Sequence, residues 1–195
     1  MWLYVGSGVG SGVVIDGRVF YGRRGFSGEI GHCPVVEDGP ECGCGRRGCL
    51  ETVASAMALG RAVEAALAAG EPTVLGAMVG PLDAGAIAAA ARDGDRVAGR
   101  ILSDFSEHLG RGISYLLNVL NPEMIVLGGP VAQAGDVLLE AVRASVARHA
   151  LLPKGVAIVP SALPDRAELT GAVLLAMDQS VRSYRIVGGP ETAAS

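Results

Sequence analysis

RVAGRILSDFSEHLGRGISYLLNVLNPEMIVLGGP, residues 96–130, is the stretch on which the fold class turns. Val97, Ile101, Phe105, Leu109, Ile113, Leu116 and Leu120 recur at spacings of three and four, which predicts one helix over Arg96–Leu120 with a buried stripe. Asn121-Pro122 stops it, because a proline pushes the preceding residue out of the helical region. Met124–Leu127 is a short apolar run between breakers, as a central parallel strand requires. Gly128-Gly129-Pro130 then turns the chain.

Downstream, the pattern repeats: a helix over Val137–His149, a strand over Val156–Val159 and a last helix over Glu168–Met177, with a weakly patterned, flexible tail from Gln179. Upstream, Ala84–Arg92 forms a short helix ending near Gly94, Gly70–Pro81 is a connection, and a helix runs from Leu50 to about Ala69. The chain starts with a strand, Met1–Val5, and a glycine-rich turn over Gly6–Gly12. Val13–Ile15 and Val19–Tyr21 then flank Asp16-Gly17, a hairpin signal. A β-meander followed by alternating helices and strands is α/β with a mixed sheet and flanking helices.

The composition agrees. Half of the 195 residues are apolar and only 4% aromatic, which suits a layered α/β core better than a β-sandwich. The net charge of −4 and the single lysine, Lys154, give no nucleic-acid footprint. No apolar run reaches the roughly 18 residues of a membrane span, and Met1–Gly12 lacks the pattern of a signal peptide. The expected location is the cytoplasm, where thiols stay reduced.

All four cysteines lie between Cys33 and Cys49. The spacing His32-x9-Cys42-x-Cys44-x4-Cys49 offers four ligands to one tetrahedral, structural zinc ion. Gly43, Gly45 and Gly48 let the backbone bend tightly enough for three sulfurs to converge. The expectation is a loop over residues 26–51 pinned by that zinc, with Cys33 outside the ligand set. The bland alternative is four incidental buried cysteines. Glu29 precedes His32 by three residues and Glu51 follows Cys49 by two. Both carboxylates can thus meet beside the imidazole, where they would accept hydrogen bonds from vicinal sugar hydroxyls. Glu29 as a backbone cap and Glu51 as a helix-start acid explain the spacing equally well. The glycine loop is open to two readings as well, a phosphate cradle or a tight turn.

Gly28-Glu29-Ile30-Gly31-His32 and Cys42-Gly43-Cys44-Gly45-Arg46-Arg47-Gly48-Cys49-Leu50-Glu51 closely resemble the signature of the ROK family, which groups bacterial sugar repressors, uncharacterised frames and sugar kinases such as glucokinase. Gly8–Gly12 with its Asp16-Gly17-Arg18 hairpin extends the resemblance, as do Leu117–Glu123 and Ile125–Gly129. It implies one lobe, residues 1–178, of an actin-like (RNase H-like) ATPase fold. It also implies sugar contacts from Glu29, His32 and Glu51, and zinc ligation by His32, Cys42, Cys44 and Cys49. A phosphate loop would be built from Gly6, Ser7, Gly8 and Gly10, and Gly128 and Gly129 would lie near a nucleotide pocket.

The resemblance implies a preceding lobe with a first phosphate loop and an Asn-Asp pair whose aspartate is the general base. Neither occurs in these 195 residues, so no catalytic residue is assigned, and ATP is expected only where that lobe is also present. Nor is a winged helix present for operator binding. Ser7, where kinases usually have Thr, and Ala54-Ser55-Ala56, where they often have Ala-Ser-Gly, favour the regulator branch. The expected function is the sugar-sensing lobe of a ROK-type transcriptional regulator, truncated or remnant. The alternatives are the C-terminal lobe of an ATP-dependent sugar kinase and a structural zinc dimerisation module. The expected partners are a sugar or sugar phosphate and a second copy, because surfaces made to meet another lobe favour self-association.

Overall fold

Trp2–Val5 (β1) alternates half-buried and buried residues, and its inward pair, Leu3 and Val5, is fully buried. In the computed structural model, which describes residues 1–78, 83–151, 155–163 and 166–183, β1 lies inside a four-stranded sheet. Val9–Gly12 (β2) pairs with it antiparallel, while Met124–Gly128 (β5) and Ala157–Pro160 (β6) run parallel to it, in the order β2-β1-β5-β6. Trp2 faces Val126 and Tyr4 faces Gly128 across the β1–β5 pair. Val14–Ile15 (β3) and Arg18–Val19 (β4) form a separate hairpin. Its turn residues Asp16 and Gly17 have φ of 51° and 74°, as a primed two-residue turn demands. The sheet is mixed, as its sequence pattern predicts.

Helices follow the loop: Leu50–Val53 (α1), Ala56–Ala68 (α2), Ala84–Arg92 (α3), Arg96–Leu120 (α4) and Asp136–His149 (α5). The predicted stripe of α4 is buried from Val97 to Leu116, in one core with Leu3, Val5, Ile125 and Leu127, while its last member, Leu120, is exposed at the helix end. Asp95 caps α4 by accepting from the amides of Val97 and Ala98, and it also accepts from Thr73 and Val74. Asn121 ends the helix in the left-handed region, with φ of 43°. Ala167–Ser183 (α6) is a unit apart from Met1–Pro164.

Three expectations need correction. The helix from Leu50 is not continuous: Ala54 leaves helical geometry and Ser55 caps a new helix by accepting from the Ala58 amide. The Ala56 amide donates instead to the Gly6 carbonyl, 2.7 Å away, tying α2 to the glycine loop. The loop itself is only Gly6–Gly8, because Val9–Gly12 takes up ladder bonds to β1. Finally, α6 continues through Gln179 to Ser183. The rest of the expected tail, residues 184–195, lies outside the described residues. Among the described residues no helix is long and apolar enough to cross a membrane.

Helices α4 and α5 touch closely. A Cβ on Gly110 would lie 2.4 Å from the Ser145 side chain. Ser145 is fully buried and donates to the carbonyl and carboxylate of Glu107. The same carboxylate meets Nη2 of Arg148 and Nε2 of His149, both at 2.5 Å. The hydrogen bond from His149, helped by Arg148 and Ser145, outweighs partial burial and holds the Glu107 carboxyl down to about 2. A depressed carboxyl stabilises the fold fully above its ordinary range, and loses that contribution as the pH falls toward its folded value. Urea unfolding of Glu107→Gln is therefore expected to show a loss of about 1–2 kcal/mol at neutral pH. The gap from the unsubstituted protein should close between about pH 4.5 and pH 2. A gap that stays constant across that range would show that the cluster does not act through its charge.

Candidate functional site

The loop before α1 is held at both ends by the backbone. The Ser11 amide and hydroxyl both donate to the Gly28 carbonyl, at 2.9 and 2.8 Å. Gly28 has φ of +88°, and a Cβ there would lie 2.0 Å from the Ser11 carbonyl oxygen. Only glycine tolerates that approach. A short 3-10 turn over Ile30–His32 then presents His32. Pro34 bridges Cys49, and the Leu50 amide donates to the Cys33 carbonyl. Between them the Cys42 amide donates to Arg46 and the Gly45 amide to Cys42, closing a tight knuckle around Cys44. From the core side Arg111 of α4 donates to the Val35 carbonyl at 3.0 Å, and Leu50 packs against Gly112.

These constraints bring the four predicted ligands together. One ligand atom from each of His32, Cys42, Cys44 and Cys49 lies within 4.8 Å of every other. Nδ1 of His32 is 3.5 Å from Sγ of Cys42, and Sγ of Cys44 is 3.7 Å from Sγ of Cys49. A tetrahedral site with metal–sulfur bonds of about 2.3 Å and metal–nitrogen bonds of about 2.0 Å has edges of about 3.8 Å and about 3.5 Å. The cluster therefore fits one tetrahedral cation. Cys33 stands outside it, as its sequence position suggests.

The electrostatics fit too. The Cys44 amide favours the Cys42 thiolate. Burial, the Glu51 carboxylate and the neighbouring sulfurs outweigh it and push the Cys42 thiol up to about 12. Burial likewise raises Cys49. The Arg46 amide and the Cys42 thiol hold exposed Cys44 down to about 7. A cation must displace protons from such thiols before it can bind.

The two carboxylates flank the imidazole on opposite sides. Oε1 of Glu51 is 3.4 Å from Nδ1 of His32 and 3.1 Å from Sγ of Cys42, and Oε2 of Glu29 is 3.9 Å from Nε2. Glu51 also reaches the glycine loop, since a Cβ on Gly8 would meet its Oε2 at 3.3 Å. A cavity of about 460 Å³ opens there, lined by Ser7, Cys42, Glu51, Thr52, Ser55 and Arg61. Glu29 and His32 stand beside that lining, not in it. Thr52 and Arg61 carry no motif signal of their own, and Ser55 carries one only as part of Ala54-Ser55-Ala56. They reach the cavity because the break at Ala54–Ser55 turns α2 past the glycine loop.

The remaining glycines gather at one end of the sheet. Gly6, Ser7 and Gly8 follow β1, and Gly128 and Gly129 end the neighbouring parallel strand β5. Gly129, with φ of +85°, approaches the Val5 carbonyl so closely that a Cβ would sit at 2.6 Å. The carboxyl ends of adjacent parallel strands are where open α/β sheets place ligands. Gly10 is a strand residue paired with Tyr4 and does not join this end.

Comparison with known proteins identifies the family. The family model described as "ROK family" matches residues 1–179. A putative xylose repressor from Caldicellulosiruptor sp. (strain Rt8B.4) is 35% identical over 179 residues, 90% of this chain and 45% of the repressor. The crystal structure of a ROK family transcriptional regulator, a homolog of the E. coli MLC protein, superposes with a TM-score of 0.80 at 36% identity, over 90% of this chain and 45% of that one. A ROK family glucokinase from Streptomyces griseus, in complex with glucose and AMPPNP, also gives 0.80, at 33% identity, over 91% of this chain and 60% of that one. The chain thus spans about half the length of the relatives it matches.

Elemental analysis of the purified protein should find one divalent cation per chain. Cys42→Ser should weaken its retention at least about tenfold and lower the thermal midpoint. Because Cys42 and Cys49 hold their protons to high pH, competition with a chelator should show affinity falling as the pH is lowered from about 8 to about 6. Affinity that does not change with pH would mean that these thiols are not the ligands.

Proposed function

The chain belongs to the ROK family, whose actin-like ATPase fold it shares, and on that premise we propose that residues 1–178 are the sugar-sensing lobe of a ROK-type transcriptional regulator, its loop pinned by one structural zinc ion. The observation that carries the reading is the row Glu29–His32–Glu51 beside a cavity of about 460 Å³. Carboxylates accept hydrogen bonds from hydroxyls in pairs, and an imidazole between them supplies a further donor or acceptor. A sugar offers vicinal hydroxyls at matching spacing. Glu29 and Glu51 bind and orient them, while the zinc holds the backbone so that the row stays formed in the absence of ligand.

Zinc is the cation proposed because three thiolates and one imidazole in a closed shell are its characteristic structural set. It supplies no open position to a substrate. His32 uses Nδ1 on the metal side and leaves Nε2 toward Glu29 and the ligand. Gly6, Ser7 and Gly8, with Gly128 and Gly129, are the residues that would border a nucleotide, and a nucleotide needs a second lobe to close over it.

Ser7 and Ala54-Ser55-Ala56 favour the regulator branch over the kinases. No Asn-Asp pair occurs in these residues to supply a general base, so phosphoryl transfer is not assigned to them. The kinase lobe is the second reading, favoured by the equal structural likeness to the glucokinase in complex with glucose and AMPPNP. DNA binding and sugar identity belong to the whole protein, which acts in the cytoplasm and self-associates.

Calorimetric titration with glucose, xylose and N-acetylglucosamine tests the site. One of them should bind, and Glu29→Ala and Glu51→Ala should each weaken it at least about tenfold. Equal binding by all three proteins would remove both carboxylates from sugar recognition. ATP-dependent sugar phosphorylation by the purified chain would replace the regulator reading with the kinase one.

A further inference from the structure

A second cavity, of about 320 Å³, lies in the groove between α2 and α4, sharing Pro40, Thr52 and Arg61 with the lining of the first but none of the row Glu29–His32–Glu51. Its α4 wall is built from Arg100, Ile101, Asp104, Phe105 and His108. Their spacing of three and four puts them on one side of the helix over about 12 Å. Leu59 of α2 faces Ile101 and Phe105 across the floor, and all three are buried. Arg61 and Arg100 stand at the lining from opposite helices, against the single carboxylate of Asp104. Apolar floor and cationic edge together define what fits.

We propose that this groove binds a small amphipathic carboxylate, its ring or short alkyl body on Leu59, Ile101 and Phe105 and its carboxylate held by Arg61 and Arg100. Both guanidinium groups have donors to offer. Arg61 donates from Nη2 to the Thr52 carbonyl at 2.9 Å, and Arg100 uses Nη2 for both oxygens of Glu71, at 2.8 and 2.7 Å. These bonds leave Nε and Nη1 of each, and a guanidinium presents five N–H groups in a fork that suits a carboxylate. The Arg100–Glu71 pair is half-exposed at both ends, so it competes weakly with an anion carried into an apolar groove.

His108 closes the α4 wall, but its Nδ1 is buried out of reach of the groove and without a hydrogen-bond partner among the described residues, so the polar recognition rests on Arg61 and Arg100. The volume is at the small end of ligand cavities, room for one ring and its side arm. Phosphate or a free sugar, lacking an apolar body, would leave the floor uncovered.

The test uses the intact, metal-containing chain and two acids, 3-phenylpropionate and hexanoate, with 3-phenylpropionamide as the uncharged isostere. Calorimetry should show an acid binding at least about tenfold more tightly than the amide. Arg100→Gln should weaken the acid about tenfold, and Ala62→Phe, which fills the groove from α2, should abolish binding with the fold retained. Arg100 is exposed, so its variant carries the test if Ala62→Phe fails to fold. Arg61 is left unchanged because it lines both cavities. Sugar binding should survive in Arg100→Gln, which keeps failure of this proposal distinct from failure of the sugar reading. Equal affinity for acid and amide, unchanged acid binding in the variants, or no binding of either acid at millimolar concentration would overturn it. So would loss of self-association in Ala62→Phe without any acid binding, since the groove would then be a seat for a second copy.

Discussion

Three sulfurs and one imidazole nitrogen within 4.8 Å of one another form an arrangement that water and protons alone hold badly. Charged thiolates at that separation repel, and buried neutral thiols are poor hydrogen-bonding groups. The raised thiols of Cys42 and Cys49 record this tension. One cation at the centre would reverse the sign of each of these terms. The loop from Phe26 to Glu51 has little regular structure of its own, so a cation held there would order it and fix Glu29 and Glu51 in place.

The cluster works only because the core offers it a firm base. Helix α4 does this at two glycines one turn apart or less. Gly112 admits Leu50, which starts α1 directly after Cys49, and Gly110 admits Ser145 of α5. A side chain at either position would push a neighbouring element away. Arg111, between them, reaches out to the Val35 carbonyl of the loop. One helix thus seats the loop on one side and the α5 layer on another, while its apolar stripe faces the common core. Position of the site and stability of the fold are therefore coupled through a few residues of α4.

Regular elements with strong period were legible in the residues. The whole of α4, the hairpin turn at Asp16-Gly17 and the parallel strand after Asn121-Pro122 stand where their patterns put them. The cysteine spacing similarly identified the cluster members. The break at Ala54–Ser55 was harder, because Leu50–Val53 and the alanine-rich run from Ala56 follow one another with no Gly or Pro between them to mark a stop. What wins there is a long-range bond, the Ala56 amide to the Gly6 carbonyl. The glycine run Gly6–Gly12 misled for a related reason: glycine signals freedom, and β1 takes that freedom away from Val9–Gly12 by pairing with it.

The sequence by itself determined the class of the fold, the four members of the His/Cys cluster and the two acidic neighbours, since these depend on period, spacing and side-chain chemistry carried along the chain. Only the tertiary structure decided that Glu51 touches Cys42, His32 and the glycine loop at once, that Thr52, Ser55 and Arg61 share its cavity, and that a second groove opens between α2 and α4. Those facts arise between segments distant in the chain. Their cause is packing geometry, the depth at which helices and loop can approach each other, and no local pattern of residues encodes that depth.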